Sequence, residues 1–162
     1  DMRPVERQSI EAALAACRAY LASDEPAWLY FVGPPGGGKS HLAAAVAWEL
    51  AERDLAVVYR SVPDLIDAIR SGYRAGDYDA RLAAVQEAPV LVLDDLGTES
   101  EGAATLLFQI VEHRSRQPTR TLITSNLKLA QHEPRIASRI AGRARVVPLL
   151  APDYRLLRHA AA

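Results

Sequence analysis

The sequence is poor in the features that mark secreted, zinc-binding or membrane proteins. Cys17 is the single cysteine of 162 residues, so neither an intramolecular disulfide nor a cysteine-based zinc site can form. No run approaches the roughly 20 apolar residues of a membrane-spanning helix, and the front of the chain shows no signal-peptide pattern. Internal repeats and low-complexity segments are also missing. We therefore expect one soluble, cytoplasmic domain without a membrane partner.

The net charge of −1 conceals a strong asymmetry. Residues 1–113 hold 9 Lys/Arg and 18 Asp/Glu, giving −9, whereas residues 114–162 hold 10 Lys/Arg and 2 Asp/Glu, giving +8. Such polarity favours head-to-tail self-association or attraction of nucleic-acid phosphates. The alternative is a fold that brings the two parts together, so that their charges cancel.

Apolar periodicity predicts strands that alternate with helices. The strands are expected at residues 27–32, 55–59, 89–93, 121–124 and 146–150. The helices are expected at residues 10–21, 39–53, 64–74, 78–87, 101–116 and 135–141. This alternation indicates an α/β fold with a parallel sheet covered by helices on both faces. Since ligands of such sheets bind beyond the carboxyl ends of the strands, the residues directly after each strand are the candidates for function.

A complete phosphate-loop motif, G-x-x-x-x-G-K-[ST], separates the first predicted strand from the helix at 39–53. Its residues are Gly33, Pro34, Pro35, Gly36, Gly37, Gly38, Lys39 and Ser40, and His41 follows as a further nucleotide-binding candidate. Glycines let backbone N–H groups converge on a phosphate, and the helix adds its positive N-terminal end. We expect Lys39 to reach the β- and γ-phosphates and the Ser40 hydroxyl to coordinate Mg²⁺. Because a Gly-rich turn would need neither residue, this Walker A motif predicts nucleotide binding.

Two carboxylates follow the apolar run at 90–93, at the expected carboxyl end of a buried strand. Asp94 fits a Walker B ligand of Mg²⁺, and Asp95 falls where a residue that orients the attacking water would lie. The side chain of Asp reaches less far than that of Glu, which predicts slow or partner-dependent hydrolysis. The alternative is an acidic turn after a strand.

An amide follows the strand at 121–124. Asn126 could hydrogen-bond the γ-phosphate or the attacking water, the role called sensor 1, or it could simply cap the end of the strand. The region contains no N-K-x-D guanine-reading motif, which favours ATP over GTP.

Arginines stand where they could act between subunits. Arg135 and Arg139 lie four residues apart on one face of a predicted helix, with Ile136 and Ile140 on another, so the apolar pair can pack while the arginines point outwards. An exposed arginine could enter a neighbouring nucleotide site and stabilise transition-state charge, which is worth about 10³ to 10⁵ in rate in P-loop enzymes. The alternative is a solvated basic face. Arg155 could touch the γ-phosphate from the same subunit.

The chain contains, in this order, the segments GPPGGGKSHLA, LVLDDLGTE, LITSNL, RIASRIAG and DYR. Together they resemble the motifs of DnaC/DnaI-type helicase loaders of the AAA+ superfamily. They span Gly33 to Arg155, and the DDLGTE and RIASRIAG combination is more specific than the phosphate loop alone. The resemblance implies a P-loop AAA+ core with five parallel strands, flanking helices and ATP sandwiched between subunits. It also implies an arginine finger at Arg139, with Arg135 beside it, and a sensor 2 arginine at Arg155.

The resemblance also implies partners. Loaders of this family act on a replicative helicase and on single-stranded DNA, and carry extra helices that face the DNA after the second strand. Here that segment contains Arg70, Tyr73, Arg74, Tyr78 and Arg81, cations and aromatic rings suited to phosphates and bases. The alternative is an ordinary surface helix pair.

We expect a single AAA+ ATPase domain over 1–162, divided into an N-terminal helix and linker at 1–26, the ATPase core at 27–155 and a tail at 156–162. Seven residues follow Arg155, so we expect no or a minimal C-terminal lid. The chain begins with Asp1 and Met2, which suggests an excised fragment without the N-terminal domain that loaders use to grip the helicase.

Other functions share the phosphate loop. An IstB-type transposition helper ATPase has the same core but usually reads DELG where this chain has Asp94 and Asp95 before Leu96 and Gly97. A nucleotide-gated scaffold would bind ATP and scarcely hydrolyse it, and a small-molecule kinase would need an acceptor pocket. The sequence therefore favours a replication ATPase that is slow alone and stimulated by assembly or DNA.

Overall fold

The computed structural model describes residues 3–25, 27–100 and 102–153. The predicted role of Arg155 and the predicted tail at 156–162 lie outside the described residues. The division of the chain at residues 26 and 155 therefore stays a prediction.

Helices and strands alternate along the described chain. The helices are α1 (Pro4–Ala22), α2 (Lys39–Ala51), α3 (Val62–Ala75), α4 (Tyr78–Gln86), α5 (Ala104–Ser115) and α6 (Pro134–Ala141). The strands are β1 (Trp28–Val32), β2 (Val57–Ser61), β3 (Val90–Leu96), β4 (Arg120–Ser125) and β5 (Ala144–Pro148). A short 3₁₀ turn, Leu129–Gln131, precedes α6. Within these ranges, no helix combines the length and the apolar composition needed to span a bilayer.

The five strands form one sheet in the order β2-β3-β4-β1-β5, and every neighbouring pair is parallel. This confirms the predicted five-stranded parallel sheet flanked by helices. Because β4 lies between β3 and β1, the carboxyl ends of these three strands lie side by side. Asp95 is near the end of β3, Asn126 follows β4, and the phosphate loop follows β1.

Helices cover the sheet on both faces. Leu29 and Phe31 of β1 point into a core formed with α1 and α2, whereas Trp28 and Tyr30 point into a second core formed with α3, α5 and α6. The alternation of side chains along β1 therefore joins both cores through one strand. All four side chains are at most 1% exposed.

Three predicted strands differ from the structure by two residues or more at one end or both. β2 covers Val57–Ser61 instead of 55–59. β3 continues to Leu96, beyond the predicted limit at 93, although its register with β4 shifts between Leu93 and Leu96. β5 covers Ala144–Pro148 instead of 146–150. Its register is set by β1, since Trp28 pairs with Ala144 and Val32 with Pro148. Pairing with a neighbour, rather than local composition, decides these boundaries.

Two helix starts differ from prediction by three residues or more. α1 begins at Pro4 rather than at 10, because proline suits the first helical position and the Glu6 carboxylate accepts the backbone N–H of Arg3 at 2.7 Å. α5 begins at Ala104 rather than at 101, because Gly102 has a left-handed backbone with φ of 84°.

One buried arginine holds the amino-terminal ends of β3 and β4 together, at the end of the sheet opposite the phosphate loop. Arg114 of α5 is 0% exposed, and burial lowers its pKa to about 10, so it stays charged at neutral pH. Its Nε donates to the Thr121 hydroxyl at 3.1 Å. Its terminal nitrogens donate at 2.7 to 3.2 Å to the backbone carbonyl oxygens of Val85, Gln86, Ala88 and Arg120.

Replacing this arginine should destabilise the fold. Arg114→Met should lower the free energy of unfolding by at least about 3 kcal/mol, because buried carbonyl oxygens lose their donors. Urea unfolding followed by circular dichroism measures the loss. Arg116→Met is the matched control, since Arg116 lies nearby with a side chain that is 72% exposed, and its unfolding midpoint should stay near that of the parent protein. Equal losses in the two variants would contradict the structural role of Arg114.

Candidate functional site

The phosphate loop connects β1 to α2 in the backbone conformation that an anion cradle needs. Gly36 and Gly38 have φ of 72° and 89°, in the left-handed region that favours glycine, and Gly38 caps the N-terminus of α2. A Cβ at Gly33 would fall 1.9 Å from the carbonyl oxygen of Leu149. Glycine is therefore required at these positions, and the loop presents its backbone beside a helix N-terminus.

Lys39 and Asn126 meet across the site, as the sequence predicted for residues at one sheet edge. The Lys39 side chain is buried, and its Nζ donates to the Pro34 carbonyl oxygen at 2.8 Å and to Asn126 Oδ1 at 2.7 Å. The amide thus holds the ammonium group over the loop before any phosphate arrives.

Hydroxyl groups from both neighbouring strands hold the Asp94 carboxylate. Thr124 of β4 donates to Asp94 Oδ1 at 2.5 Å, and Tyr59 of β2 donates to Asp94 Oδ2 at 3.0 Å. Burial, followed by the hydrogen bond to Asp94, raises the pKa of the Tyr59 hydroxyl well above its usual range. Sequence reasoning missed Tyr59 and Thr124. Their positions near the carboxyl ends of the second and fourth strands were the available signal.

Asp95 occupies a special backbone position. Its φ is 58°, a left-handed conformation that aspartate tolerates better than most residues, and its N–H donates to the Thr124 hydroxyl at 2.9 Å. Its carbonyl oxygen accepts the Thr98 hydroxyl at 2.7 Å. These bonds turn the exposed Asp95 side chain towards the cavity described next.

A cavity of about 690 Å³ opens above the phosphate loop, within the size range of small-molecule sites. The predicted site residues that line it are Pro35, Gly36, Gly37, Gly38, Lys39, Ser40, His41, Asp95 and Asn126. Its apolar wall was not predicted, and consists of Ile10, Leu42, Leu149, Ala151 and Pro152. The cavity therefore combines a polar phosphate end with an apolar surface suited to a base.

Helix α1 reaches this cavity because of one side chain. The Ser9 hydroxyl donates to the Pro148 carbonyl oxygen at 3.0 Å and accepts the Leu150 N–H at 2.9 Å. This pair of bonds fixes the helix beside the end of β5 and brings Ile10 to the wall of the cavity.

Asp153 lies against the loop as well. A Cβ on Gly36 would fall 2.0 Å from Asp153 Oδ1, so the carboxylate packs on the glycine itself. Sequence reasoning had not assigned Asp153 a role. Its neighbour in the predicted DYR motif, Arg155, lies outside the described residues.

The oxygen groups at the site fit Mg²⁺, which prefers a carboxylate, a hydroxyl and phosphate oxygens. The Asp94 carboxylate and the Ser40 hydroxyl would supply the protein's share. The two residues lie near each other, since the Tyr59 hydroxyl is 3.0 Å from Asp94 Oδ2 and 3.5 Å from the backbone carbonyl oxygen of Ser40. Among the described residues, no group of three His, Cys, Asp or Glu side chains could hold a metal ion. Binding of Mg²⁺ would therefore depend on nucleotide phosphates.

The loop after β4 is fixed by a buried hydrogen-bond network. Ser125 donates to the Leu96 carbonyl oxygen at 2.6 Å, and Tyr30 donates to the Leu127 carbonyl oxygen at 2.7 Å. The His132 Nε2 atom lies 2.7 Å from the Tyr30 oxygen and 3.2 Å from the Ser125 oxygen. Since each hydroxyl proton already has an acceptor, Nε2–H is the donor to both oxygens, and burial lowers the pKa of His132.

Helix α6 buries Ile136 and Ile140, as predicted, and exposes its two arginines to different degrees. The Arg139 side chain is 46% exposed, but its guanidinium group is paired with Glu112 of α5, which also binds Arg116. The hydrogen bond from Arg139 is the main cause that lowers the pKa of Glu112. The expectation of an outward-pointing arginine is thus met only in part, and sequence reasoning missed Glu112.

Arg135 has two contacts of its own. It donates to Glu133 Oε1 at 2.9 Å, and its guanidinium carbon lies 4.7 Å from the centre of the Phe108 ring. Its side chain remains 63% exposed.

The predicted DNA-facing residues lie on α3 and α4 and differ in availability. Tyr73 is 68% exposed and stacks on Tyr78 with ring centres 4.0 Å apart. Arg74 is exposed and Arg70 is half-buried. Arg81 is occupied within the helix pair, where it binds Asp77 at 2.8 Å and the Ala68 carbonyl oxygen at 2.8 Å.

Comparison with known proteins identifies similar chains. The family model for IstB-like ATP binding proteins matches residues 6–155. A Sinorhizobium fredii protein described as an insertion sequence ATP-binding protein is 31% identical over 128 residues, which cover 78% of this chain and 42% of that protein. The replicative helicase loader DnaC of Escherichia coli is 34% identical over 132 residues, which cover 76% of this chain and 54% of that protein. The chain thus spans about half the length of these curated relatives.

A solved structure agrees with these matches. The crystal structure of the DnaC helicase loader superimposes with a TM-score of 0.76 at 29% sequence identity, and the alignment covers 87% of this chain and 90% of that one.

The chain contains two lysines, which allows a matched test of the phosphate loop. Lys39→Ala should abolish ATP binding measured by calorimetry without unfolding the domain, because the loop loses the ammonium group that meets the phosphates. Lys128→Ala removes an exposed lysine and should bind ATP like the parent protein. An unchanged ATP affinity in Lys39→Ala would refute the assignment of the loop.

Proposed function

Because the chain belongs to the family of IstB-like ATP-binding proteins, we propose that it is a DNA-replication ATPase that loads or remodels a replicative helicase on single-stranded DNA through nucleotide-dependent self-assembly. The chain has the P-loop AAA+ fold, with a five-stranded parallel sheet flanked by helices. The observation that carries the nucleotide part is the cavity in which Lys39, Asp95 and Asn126 meet. Similarity to the helicase loader DnaC supports the replication part.

On binding of ATP, Lys39 would exchange two neutral oxygen partners for phosphate oxygens. Lys39 would leave the Pro34 carbonyl and the Asn126 amide for the β- and γ-phosphates, while the loop's N–H groups and the N-terminus of α2 hold the charge. Ser40 and Asp94 would hold Mg²⁺, which supplies charge neutralisation between the phosphates. The apolar wall that includes Ile10 and Leu149 would take the adenine base.

Hydrolysis would then depend on three further side chains. Asn126, freed from Lys39, would bind the γ-phosphate or the attacking water, and Asp95, which also lines the cavity, would orient that water. Arg139 of an adjacent subunit would complete the site as an arginine finger. Since Asp95 is a short carboxylate and Arg139 is paired with Glu112 in its own subunit, we expect slow hydrolysis by the isolated chain.

A transposition helper ATPase is the second candidate function. The match to the IstB-like family and the similarity to a protein named for an insertion sequence favour it. The consecutive aspartates at 94 and 95 favour the loader, because transposition helpers usually carry DELG at this point. Binding to the cognate replicative helicase, measured with the full-length gene product, separates the two functions.

Single-stranded DNA is the proposed partner of the surface formed by α3 and α4. The exposed Tyr73 ring and the exposed Arg74 offer stacking and charge on the surface of α3, which supports contact with bases and phosphates. Arg70 and Arg81 remain proposed contacts, although the bonds of Arg81 to Asp77 and Ala68 favour a role in holding α3 to α4.

The ATPase rate, measured against protein concentration with and without single-stranded DNA, tests the proposed function. We expect a low rate per subunit in dilute protein and a steep rise as protein or DNA is added, because the site is completed by a neighbour. A rate that stays at background while ATP binds would indicate a nucleotide-gated scaffold. A rate that requires an added small-molecule acceptor would indicate a kinase.

Arg139→Ala tests the contribution of the neighbouring subunit. The variant should bind ATP like the parent protein and lose the concentration-dependent part of hydrolysis, and mixing it with Lys39→Ala should restore activity. Restoration is expected because Arg139→Ala supplies an intact nucleotide site and Lys39→Ala supplies the arginine that enters it. If the mixture stays inactive, the proposed action between subunits is wrong.

Arg116→Ala is the matched control for this experiment. Arg116 also pairs with Glu112 and is more exposed, so its removal takes away a cation from the same carboxylate without touching the proposed finger. Its concentration-dependent ATPase rate should equal that of the parent protein.

A further inference from the structure

The carboxylate of Asp94 is held at both of its oxygens by hydroxyl groups. Thr124 donates to Oδ1 from β4, and Tyr59 donates to Oδ2 from β2, at 2.5 and 3.0 Å. These strands flank β3 on its two sides, so the carboxylate is fixed from both directions. An ionised carboxylate has about four acceptor positions, and two remain for a metal ion or its bound water.

The Thr124 hydroxyl makes a second hydrogen bond, to the backbone of Asp95, which the Tyr59 hydroxyl does not make. The Thr124 hydroxyl also accepts the N–H of Asp95, which makes it part of the backbone turn. The Tyr59 hydroxyl has Asp94 as its shorter contact and lies 3.5 Å from the carbonyl oxygen of Ser40. It therefore stands between the side chain of Asp94 and the backbone of Ser40, the two residues proposed to hold Mg²⁺.

We propose that Tyr59 is a positioning residue for Mg²⁺, and that its hydroxyl fixes the distance and orientation of Asp94 relative to Ser40. This inference rests on the proposed nucleotide site. A phenol donor leaves the full negative charge on Asp94, whereas a lysine or arginine at this place would neutralise it. Hydrogen bonds of this kind orient metal-binding carboxylates, and their loss typically weakens metal affinity about 10- to 100-fold.

The ring and the hydroxyl of Tyr59 act separately. The ring is half-buried and packs against the core that α2 forms with the sheet. Phenylalanine keeps that packing and removes only the hydrogen bond. Tyr59→Phe is therefore expected to fold, and unfolding by urea together with ATP binding in EDTA verifies that the site remains formed.

The experiment titrates Mg²⁺ while a fluorescent ATP analogue binds. The parent protein and Tyr59→Phe should bind the analogue equally in EDTA, because the phosphate loop is unchanged. In Tyr59→Phe, the Mg²⁺ concentration that gives half of the maximal gain in affinity should rise about 10-fold or more, since Asp94 is no longer held. Asp94→Asn should remove the gain altogether.

Tyr20→Phe is the matched control. Its hydroxyl is also buried and donates to the Ala27 carbonyl oxygen at 3.1 Å, and it belongs to α1 rather than to the metal site. Its Mg²⁺ requirement should equal that of the parent protein. An equal shift in Tyr20→Phe would show that the loss of any buried hydroxyl has this effect, and would overturn the inference.

The remaining outcomes separate the two proposals. If Tyr59→Phe needs the same Mg²⁺ as the parent protein, or less, the positioning role is wrong while the nucleotide site stands. If the parent protein binds the analogue neither in EDTA nor with Mg²⁺, the proposed function fails and the inference fails with it.

Discussion

The ammonium group of Lys39 joins two loops that are far apart in sequence, and the rest of the site depends on this contact. It lies between the Pro34 carbonyl and the Asn126 amide, so the segments after β1 and β4 are held together before a nucleotide enters. Burying an ammonium group is costly unless polar partners surround it. Phosphate oxygens would replace these two neutral oxygens with stronger, charge-assisted bonds, and the same exchange would free Asn126 for its proposed contact with the γ-phosphate.

The nucleotide end of the molecule is physically continuous with helix α6. Leu96 follows Asp95 and Ser125 precedes Asn126. The hydrogen bond from the Ser125 hydroxyl to the Leu96 carbonyl oxygen ties together the segments that carry these two candidate residues. His132 binds the same serine and stands one residue before Glu133, the cap of α6. A displacement of Asn126 on nucleotide binding would therefore shift the start of α6, the helix that carries Arg139. This continuity gives the proposed self-assembly a structural basis within one subunit.

Residues whose chemistry depends on local sequence could be predicted, and those whose partners come from other strands could not. The phosphate loop was evident because its glycines, lysine and serine stand together, and Asp94 and Asn126 because buried strands precede them. Tyr59, Thr124 and Glu112 were missed, since their partners lie 35, 30 and 27 residues away and are selected by strand order and helix packing. Strand order also set the limits of β3 and β5, where neighbouring strands overrode local composition.

The pairing of Arg139 with Glu112 is compatible with a role in a neighbouring site. Water reaches the Arg139 side of this ion pair, since that side chain is 46% exposed while the Glu112 side chain is 16% exposed, and water that competes for the guanidinium group weakens the pair. Arg139 could therefore leave Glu112 for the concentrated negative charge of a triphosphate at small cost. If Arg139 acts between subunits as proposed, Glu112 would restrain it in the separate subunit and release it on assembly. Within the chain, the pair joins an acidic group before residue 113 to a basic group after it.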